Sequence, residues 1–403
     1  MRIFTHPTVK RSASGLRLLL LLFVAALSGW TPAALAQSTD TIRLSGFGTL
    51  GLTDVSAPNG WGFRRDLGQS GSTDRTRADV DSRLGLQLNY TPTTQLEFVT
   101  QLLATRRSPD VALGDHLEWA FAAIHPTPQL TARLGRVNLD TFLNSDHRNV
   151  GFAFLPARPP VELYGLLPTS LNGADVSHWL DLGDARWRFK IFGGRADGGD
   201  RGNKAGVPIS PTLGGSISRD SGGLLIRLGV TRGVITNAPA PLQPLIEGLA
   251  SLATLPVPNV TSEAQALRQR LDTTDAAALY TALGVRYESG PWLLNAELAR
   301  VSGHPFVDLV GGYASAGRRF GDWTLYSVYS QVRSSTPAVA APQWASSLAF
   351  SPALAAQAQA LGTAAAGAIN LGRPSQRTIS LGARWDFHPQ MSLKLQWDRI
   401  GTE

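Results

Sequence analysis

Strict alternation of apolar and polar residues is the feature that most restricts what this chain can fold into. Over residues 379–387 the odd positions are Ile, Leu, Ala, Trp and Phe, while the even positions are Ser, Gly, Arg and Asp. The alternation resumes over 391–398 and is repeated at 84–90, 187–191 and 283–287. Successive side chains of a β-strand point to opposite faces, so each segment is predicted to be a strand with one apolar and one polar face.

Such strands could belong to a soluble sandwich, whose apolar face forms a core, or to a membrane barrel, whose apolar face meets lipid. The segments are about ten residues long and end in aromatic residues, as lipid-facing strands with aromatic girdles do. After residue 36 no apolar stretch reaches the roughly 18 residues of a membrane-spanning helix. The predicted fold class is therefore all-β, a transmembrane antiparallel β-barrel with its polar face inward.

The first 36 residues have the pattern of a secretory signal peptide. Four basic residues precede or flank the apolar run at 18–27, and Ala34 and Ala36 give the small-residue cleavage pattern. A retained anchor is the alternative, but ten apolar residues are too few to span a bilayer as a helix. Removing 1–36 leaves 33 basic and 30 acidic residues in 37–403, because the signal holds four of the 37 basic residues and none of the acidic ones. A net charge of +3 gives little support for nucleic-acid binding.

The lengths of the links predict how the strands run. Bacterial barrels place short turns in the periplasm and long loops outside. Only one obvious strand lies between 195 and 276, where parity requires an even number, so a cryptic strand is predicted between Ala205 and Gly222, around 214–218. The strand ending at Ile400 runs outward, so closure needs one further inward strand, for a total of sixteen. The fourteen strands read directly from the alternation lie near 41–53, 80–90, 95–106, 115–125, 129–138, 172–182, 185–195, 224–236, 276–288, 291–302, 306–319, 322–333, 375–387 and 390–400.

Two long inserts, 239–274 and 336–374, lack the alternation and are predicted to be extracellular loops. Leucines and an isoleucine from 242 to 255 follow a helical period, and Ser262 with Gln265 fits the capping box of a second helix. Ser351 followed by proline predicts the start of a third helix that ends near Gly362. These helices could pack on the barrel rim, or they could form a plug or lid over the lumen.

Several short segments resemble Gram-negative outer-membrane porins of the general diffusion type. The resemblance implies a 16-stranded barrel, usually a homotrimer, whose third outer loop folds inward as a constriction loop, here 139–171. It also implies insertion by the barrel-assembly machinery, which in such porins reads a terminal aromatic residue. This chain ends in Glu403, so its last strand is expected to be missing. The segments that carry the resemblance are 43–51, 133–137, 149–152, 158–164, 288–292 and 397–399.

Motifs for chemistry are weak. Residues 46–51 (GFGTLG) match the dinucleotide-binding fingerprint in letters, but they lie within the first alternating segment, where no helix follows to face a pyrophosphate. No zinc, P-loop or nucleophile-elbow pattern is present, and the chain has no cysteine. No cofactor, metal site or enzymatic activity is expected. A Ser-His site on the lipid rim, at His178 or His304, remains an alternative.

Charged residues on the polar face are the candidate functional residues, since fixed charges that line a pore set its ion selectivity. Nine basic residues fall on this face: Arg43, Arg83, Arg133, Arg188, Lys190, Arg227, Arg286, Arg384 and Lys394. Six acidic residues share it: Asp81, Glu97, Glu118, Glu297, Asp386 and Asp398. The predicted pore-lining and constriction set is Arg43, Arg83, Arg133, Arg136, Asp146, Arg148, Arg158, Glu162, Arg188, Arg286 and Arg384.

The expected function is passive diffusion of small hydrophilic solutes and ions across the outer membrane of a Gram-negative bacterium. Membrane lipid, small solutes and further copies of the chain are the expected partners, and nucleic acid is not. The alternative is a receptor or adhesin barrel with an occluded lumen, which binds a partner through its large outer loops.

Overall fold

A single antiparallel sheet of fifteen strands, ordered along the chain, forms most of the computed structural model. The structure describes residues 41–57, 62–66, 69, 74–106, 113–165, 167–198, 207–304 and 307–402, so the predicted signal peptide lies outside the described residues. The strands are β1 (Ile42–Thr49), β2 (Arg83–Thr93), β3 (Leu96–Thr105), β4 (Leu117–Thr127), β5 (Leu130–Asn138), β6 (Ser170–Leu182), β7 (Ala185–Gly198), β8 (Val207–Ser221), β9 (Leu224–Ile235), β10 (Ala276–Ser289), β11 (Trp292–His304), β12 (Val307–Phe320), β13 (Trp323–Ser334), β14 (Ser375–His388) and β15 (Met391–Thr402). A separate two-stranded ribbon pairs Thr53–Asp54 with Thr76–Arg77.

Two-residue turns make all seven connections at one end of the strands, which we call the turn end. Gly183, Gly290 and Gly321 have φ of 61°, 54° and 60° in three of these turns, a left-handed conformation that glycine adopts without a steric penalty. The cryptic strand predicted between 205 and 222 is confirmed as β8, which hairpins into β9 through Gly222 and Gly223. The opposite end, the loop end, carries the long connections.

The polarity of the sheet is the reverse of a soluble protein. On β14 and β15, Leu381 and Trp397 are 52% and 59% exposed, whereas Ser380 on the opposite face is 6% exposed. The connection between β5 and β6 lies on the polar face and contacts β9 through Arg227 and β15 through Lys394, so the sheet curls around it. The predicted arrangement, apolar outside and polar inside, is therefore confirmed.

The first and last strands form the two edges of the sheet. Over the described ranges the strand order runs from β1 to β15 without a ladder that joins them. The predicted sixteenth strand stays a prediction. None of the helices in the described part of the chain is long and apolar enough to cross a membrane.

Within the described ranges, the helices lie in the connections of the loop end. The four-residue helix α1 (Val161–Tyr164) follows β5, α2 (Gln243–Leu252) and α3 (Pro258–Leu271) follow β9, and α4 (Pro352–Leu371) follows β13. The last three share one hydrophobic core with the buried Trp344 and Leu348. We call this unit the helical cap; the two predicted inserts thus pack on each other.

Two predicted helix boundaries in the cap are wrong. Helix α3 begins at Pro258, so Ser262 lies inside it, and its hydroxyl donates to the carbonyl of Asn259 at 3.2 Å. Helix α4 continues past Gly362 to Leu371. A Cβ at Gly362 would lie 2.9 Å from the Trp344 ring, so this glycine allows close packing and does not end the helix.

Candidate functional site

The connection between β5 and β6, residues 139–169, lies on the polar face of the sheet, and we call it the inner loop. It corresponds to the constriction loop predicted at 139–171. Single 3-10 turns at Ser145–His147 and Gly151–Ala153 and the helix α1 shape it. Three groups of wall residues hold it in place.

The first anchor holds the start of the inner loop through Asp140. Its carboxylate accepts from Arg227 at 3.0 Å and from the Ser216 hydroxyl at 2.8 Å, and Lys190 lies 3.9 Å away. Arg227 also donates to the Asp140 carbonyl at 2.6 Å. Burial alone would raise the pKa of Asp140, but the charges of Lys190 and Arg227 outweigh it and hold the pKa well below its usual range. Asp140 is therefore an ionised, buried link between the loop and strands β7 to β9.

The second anchor binds backbone carbonyls in the middle of the inner loop. The ammonium of Lys394 donates to the carbonyls of Gly151 at 2.7 Å and Pro156 at 3.1 Å, and also to that of Phe154. Arg384 donates to the Phe154 carbonyl at 3.0 Å. Carbonyl oxygens gathered around two cations fix this stretch against β14 and β15 without using an acidic side chain.

The third anchor consists of two buried glutamates. Glu162 of α1 is 2% exposed and accepts from Ser330 at 2.8 Å and from Thr378, so it faces the wall. Glu297 of β11 is 3% exposed and accepts from the hydroxyl of Tyr164 at 2.9 Å. A hydrophobic cluster joins the loop residues Phe142 and Tyr164 to the wall residues Tyr280 and Tyr313.

Four residues of the predicted constriction set lie on β5, on β7 and at the start of the inner loop: Arg133, Arg136, Arg188 and Asp146. Arg133 makes a two-pronged ion pair with Asp175, with contacts of 2.5 and 2.8 Å. Asp146 accepts from Arg188 at 3.1 Å. Arg136 donates to the Ser170 hydroxyl at 3.2 Å. Each of these four side chains therefore has a polar or charged partner.

Three further predicted residues contact the inner loop from within or from the wall. Arg148 donates to the carbonyl of Tyr164 at 3.1 Å. Arg158 pairs with Asp81 at 3.1 Å. Arg384 pairs with Asp386 at 2.7 Å. Glu162, described above, belongs to the same loop.

The remaining predicted arginines, Arg43, Arg83 and Arg286, have no hydrogen bond or ion pair with any residue that the structure describes. Arg43 on β1 is exposed and lies opposite the inward-facing Asn89. Arg83 on β2 is 6% exposed, and two of its nitrogens have no partner. Arg286 on β10 lines a cavity beside the inner loop. These three are cations of the inner face that form no ion pair with a described residue.

Besides Asp140, the neighbouring residues Asp146 and His147 of the inner loop also have displaced pKa values. Burial and the charge of Asp140 favour the protonated form of Asp146, but Arg188 and Lys190 outweigh them and lower its pKa. Burial lowers the pKa of His147, and the charge of Arg286 adds to this effect against that of Asp146. The loop therefore holds a carboxylate and a neutral imidazole side by side at neutral pH.

Sequence reasoning did not identify the partners that hold the loop. Asp175 and Tyr164 were absent from the predicted set, and Glu297 and Lys394 were treated only as lumen charges. Alternation places a residue on a face, but it carries no information on which loop atom that residue meets. Asp140 did have a usable signal, since an acidic loop residue beside a basic wall predicts a pair.

Comparisons with known proteins were made with both sequence and structure. No family model and no curated protein matches the sequence. OmpF of Salmonella typhi, solved in complex with daunomycin, is 10% identical over 89% of each chain, with a TM-score of 0.50. The anion-selective porin of Comamonas acidovorans is 12% identical over 90% of each chain, with a TM-score of 0.46. OmpT of Vibrio cholerae, expressed in the outer membrane, is 11% identical over 90% of this chain and 88% of its own, with a TM-score of 0.47.

The inverted polarity of the sheet and the loop held against its polar face are features of the porin fold. At 10% identity the likeness to OmpF shows the fold and nothing further. The chain has the fold of the outer-membrane porins, so the predicted fold class and family resemblance are confirmed at that level. The exposed apolar belt supports the predicted outer-membrane location.

Proposed function

We propose that this protein is a passive channel through which small hydrophilic solutes and ions cross the outer membrane, and that it is not an enzyme. The observation that carries the proposal is the inner loop, held by buried charges on the polar face of the curled sheet. Such a loop narrows a water-filled passage without needing a moving part. Solutes are then sorted by size and by the fixed charges beside the loop.

A preference for anions follows from which inner charges are accessible. Glu162 and Glu297, which form no ion pair with a basic side chain in the described ranges, are 2% and 3% exposed. Arg43 and Arg286 lack a carboxylate partner among the described residues and are more accessible. We infer that these two accessible arginines lower the barrier for anions along the inner face.

Planar-bilayer recordings with the purified protein test the channel. We expect steady conductance and, in a salt gradient, a reversal potential on the anion side. Arg43→Gln should move the reversal potential toward cations. Arg318→Gln is the matched control, because Arg318 lies over Trp292 and Phe320 on the outer face. A silent protein, or equal shifts in the two variants, would contradict the proposal.

The helical cap keeps the second candidate function open, a receptor or adhesin barrel with an occluded lumen. Its three helices share their own hydrophobic core, which a flexible outer loop would not need. The sequence prediction places both inserts outside the cell. Cysteines at Ser262 and Ala356, both exposed, should then label on intact cells, whereas one at Thr93, at the turn end of β2, should not. Absence of conductance together with external binding through the cap would favour the receptor.

We also propose assembly as a homotrimer in outer-membrane lipid after insertion by the barrel-assembly machinery, as the sequence resemblance implies. Light scattering of the detergent-solubilised protein measures the number of copies. A monomer at all detergent-to-protein ratios would contradict the trimer and leave the channel proposal intact.

A further inference from the structure

A cavity of about 170 Å³ lies between the inner loop and strands β10 to β14. The loop contributes Phe154, Leu155 and Tyr164 to its lining, and the wall contributes Arg286 and Asn295. The volume corresponds to roughly six water molecules at ~30 Å³ each. The cavity therefore has room for a small organic solute, with an apolar side and a polar side.

Three polar side chains of the wall are placed at one height by the register of the sheet. Arg286 pairs with Asn295 across β10 and β11, and Asn295 pairs with Ser315 across β11 and β12. Directly opposed residues on neighbouring strands bring their side chains to within about 5 Å of each other. The side chains of Arg286 and Asn295 make no hydrogen bond to any residue in the described ranges, so the N–H donors of the guanidinium and of the side-chain amide remain available.

The charges around the cavity do not balance. Its lining includes three arginines and two carboxylates. Arg319 pairs with Glu288 at 3.4 Å, and Arg384 pairs with Asp386 at 2.7 Å. Arg286 is left with no carboxylate partner in the part of the chain that the structure describes. The nearby carboxylate of Glu297 is already occupied, since it accepts from the Leu143 amide at 3.0 Å and from the Tyr164 hydroxyl at 2.9 Å.

We propose that this cavity binds a small monocarboxylate with an apolar body. The carboxylate accepts two hydrogen bonds from the guanidinium of Arg286 and one from the amide of Asn295, the geometry that arginine favours. The apolar body lies against Phe154 and Leu155 of the inner loop. This site deepens the proposed function, because it names a class of solute that the channel would concentrate beside its constriction.

Isothermal titration of the detergent-solubilised protein with benzoate tests the site without any need for conduction. We expect saturable binding of benzoate and at least tenfold weaker binding of benzyl alcohol, which has the same ring and no charge. Arg286→Gln should weaken the binding of benzoate on the order of tenfold, since a hydrogen-bonded charge pair is lost. Arg286→Lys should give an intermediate affinity, because it keeps the charge and loses the two-pronged geometry. Arg318→Gln, with the same charge change on the outer face, should leave the affinity unchanged.

The outcomes separate this site from the channel. Binding of benzoate that depends on Arg286, in a protein that is silent in bilayers, supports the site and removes the diffusion function. Conductance without benzoate binding, or binding that is equal in Arg286→Gln and the parent, overturns the site alone. Equal affinity for benzyl alcohol also overturns it. A heat-modifiability gel shows whether each variant is folded before the titration.

Discussion

The first anchor of the inner loop can be tested by removing one buried charge. Asp140→Asn keeps the size and shape of the side chain at a position that is 3% exposed. It leaves Lys190 and Arg227 without the carboxylate that they share. We expect the inner loop to detach from β7 to β9 while the strand ladders remain formed.

The size of the effect follows from which contacts survive. Breaking a buried ion pair by removing one partner typically destabilises by about 3–5 kcal/mol. The lower end applies here, because Lys190 still lies 3.3 Å from Asp175 and Arg227 still donates to the carbonyl of Asp140. A loss of about 3 kcal/mol raises the detached population of the loop about a hundredfold.

Limited proteolysis of the folded protein, analysed by mass spectrometry, measures that population. We expect cleavage within 139–169 to accelerate by up to two orders of magnitude, and single-channel current to become noisier. Asp181→Asn is the control, since its exposed ion pair with Arg186 lies beside a two-residue turn. Equal cleavage rates in Asp140→Asn and the parent would show that the carboxylate does not hold the loop. Loss of the whole barrel would show that our separation of loop from wall is wrong.

Two further predictions concern the helical cap and the acidity of the inner loop. Gly362→Ala should expose 336–374 to protease while the barrel stays heat-modifiable, because the new Cβ would lie 2.9 Å from the Trp344 ring. Gly367→Ala is the control, since a Cβ there meets nothing within 4 Å. It should stabilise α4 by about 0.5–1 kcal/mol. Equal sensitivity of the two would contradict the packing role of Gly362. Burial lowers the pKa of His147 from its ordinary 6.5, so the folded loop favours the neutral imidazole. The stability that this neutral imidazole contributes to the loop is present above pH 6.5 and is lost as the pH falls. Protease protection of 139–169 should therefore weaken between about pH 7 and 5 in the parent protein, and it should weaken less in His147→Asn. Parallel pH profiles of the two proteins would contradict this role of His147.

Strand positions could be predicted because each depends on a local pattern. The alternation locates β14 and β15, and the parity of the turns located β8, whose own sequence is rich in Gly and Ser. Helix ends in the cap were predicted less well, since Gly362 reads as a terminator in sequence and acts as a contact for Trp344 in three dimensions. Trp344 belongs to the core that the insert 336–374 shares with the insert 239–274. A local sequence pattern carries no information on such a contact.

The candidate site was predicted as a set of charges, and the structure divides that set by partner. In a water-filled interior every inward charge is compatible with the alternation, so the alternation places Arg227 and Arg286 on the same face and carries no information on their partners. Packing of the inner loop distinguishes the two, because Arg227 forms an ion pair with Asp140, whereas Arg286 has no acidic partner among the described residues. Charges that the loop neutralises determine where the loop lies, and charges that it leaves uncompensated are free to act on a solute. Function is therefore expected from the cations that remain after the anchors have been paired, and not from the total number of arginines on the wall.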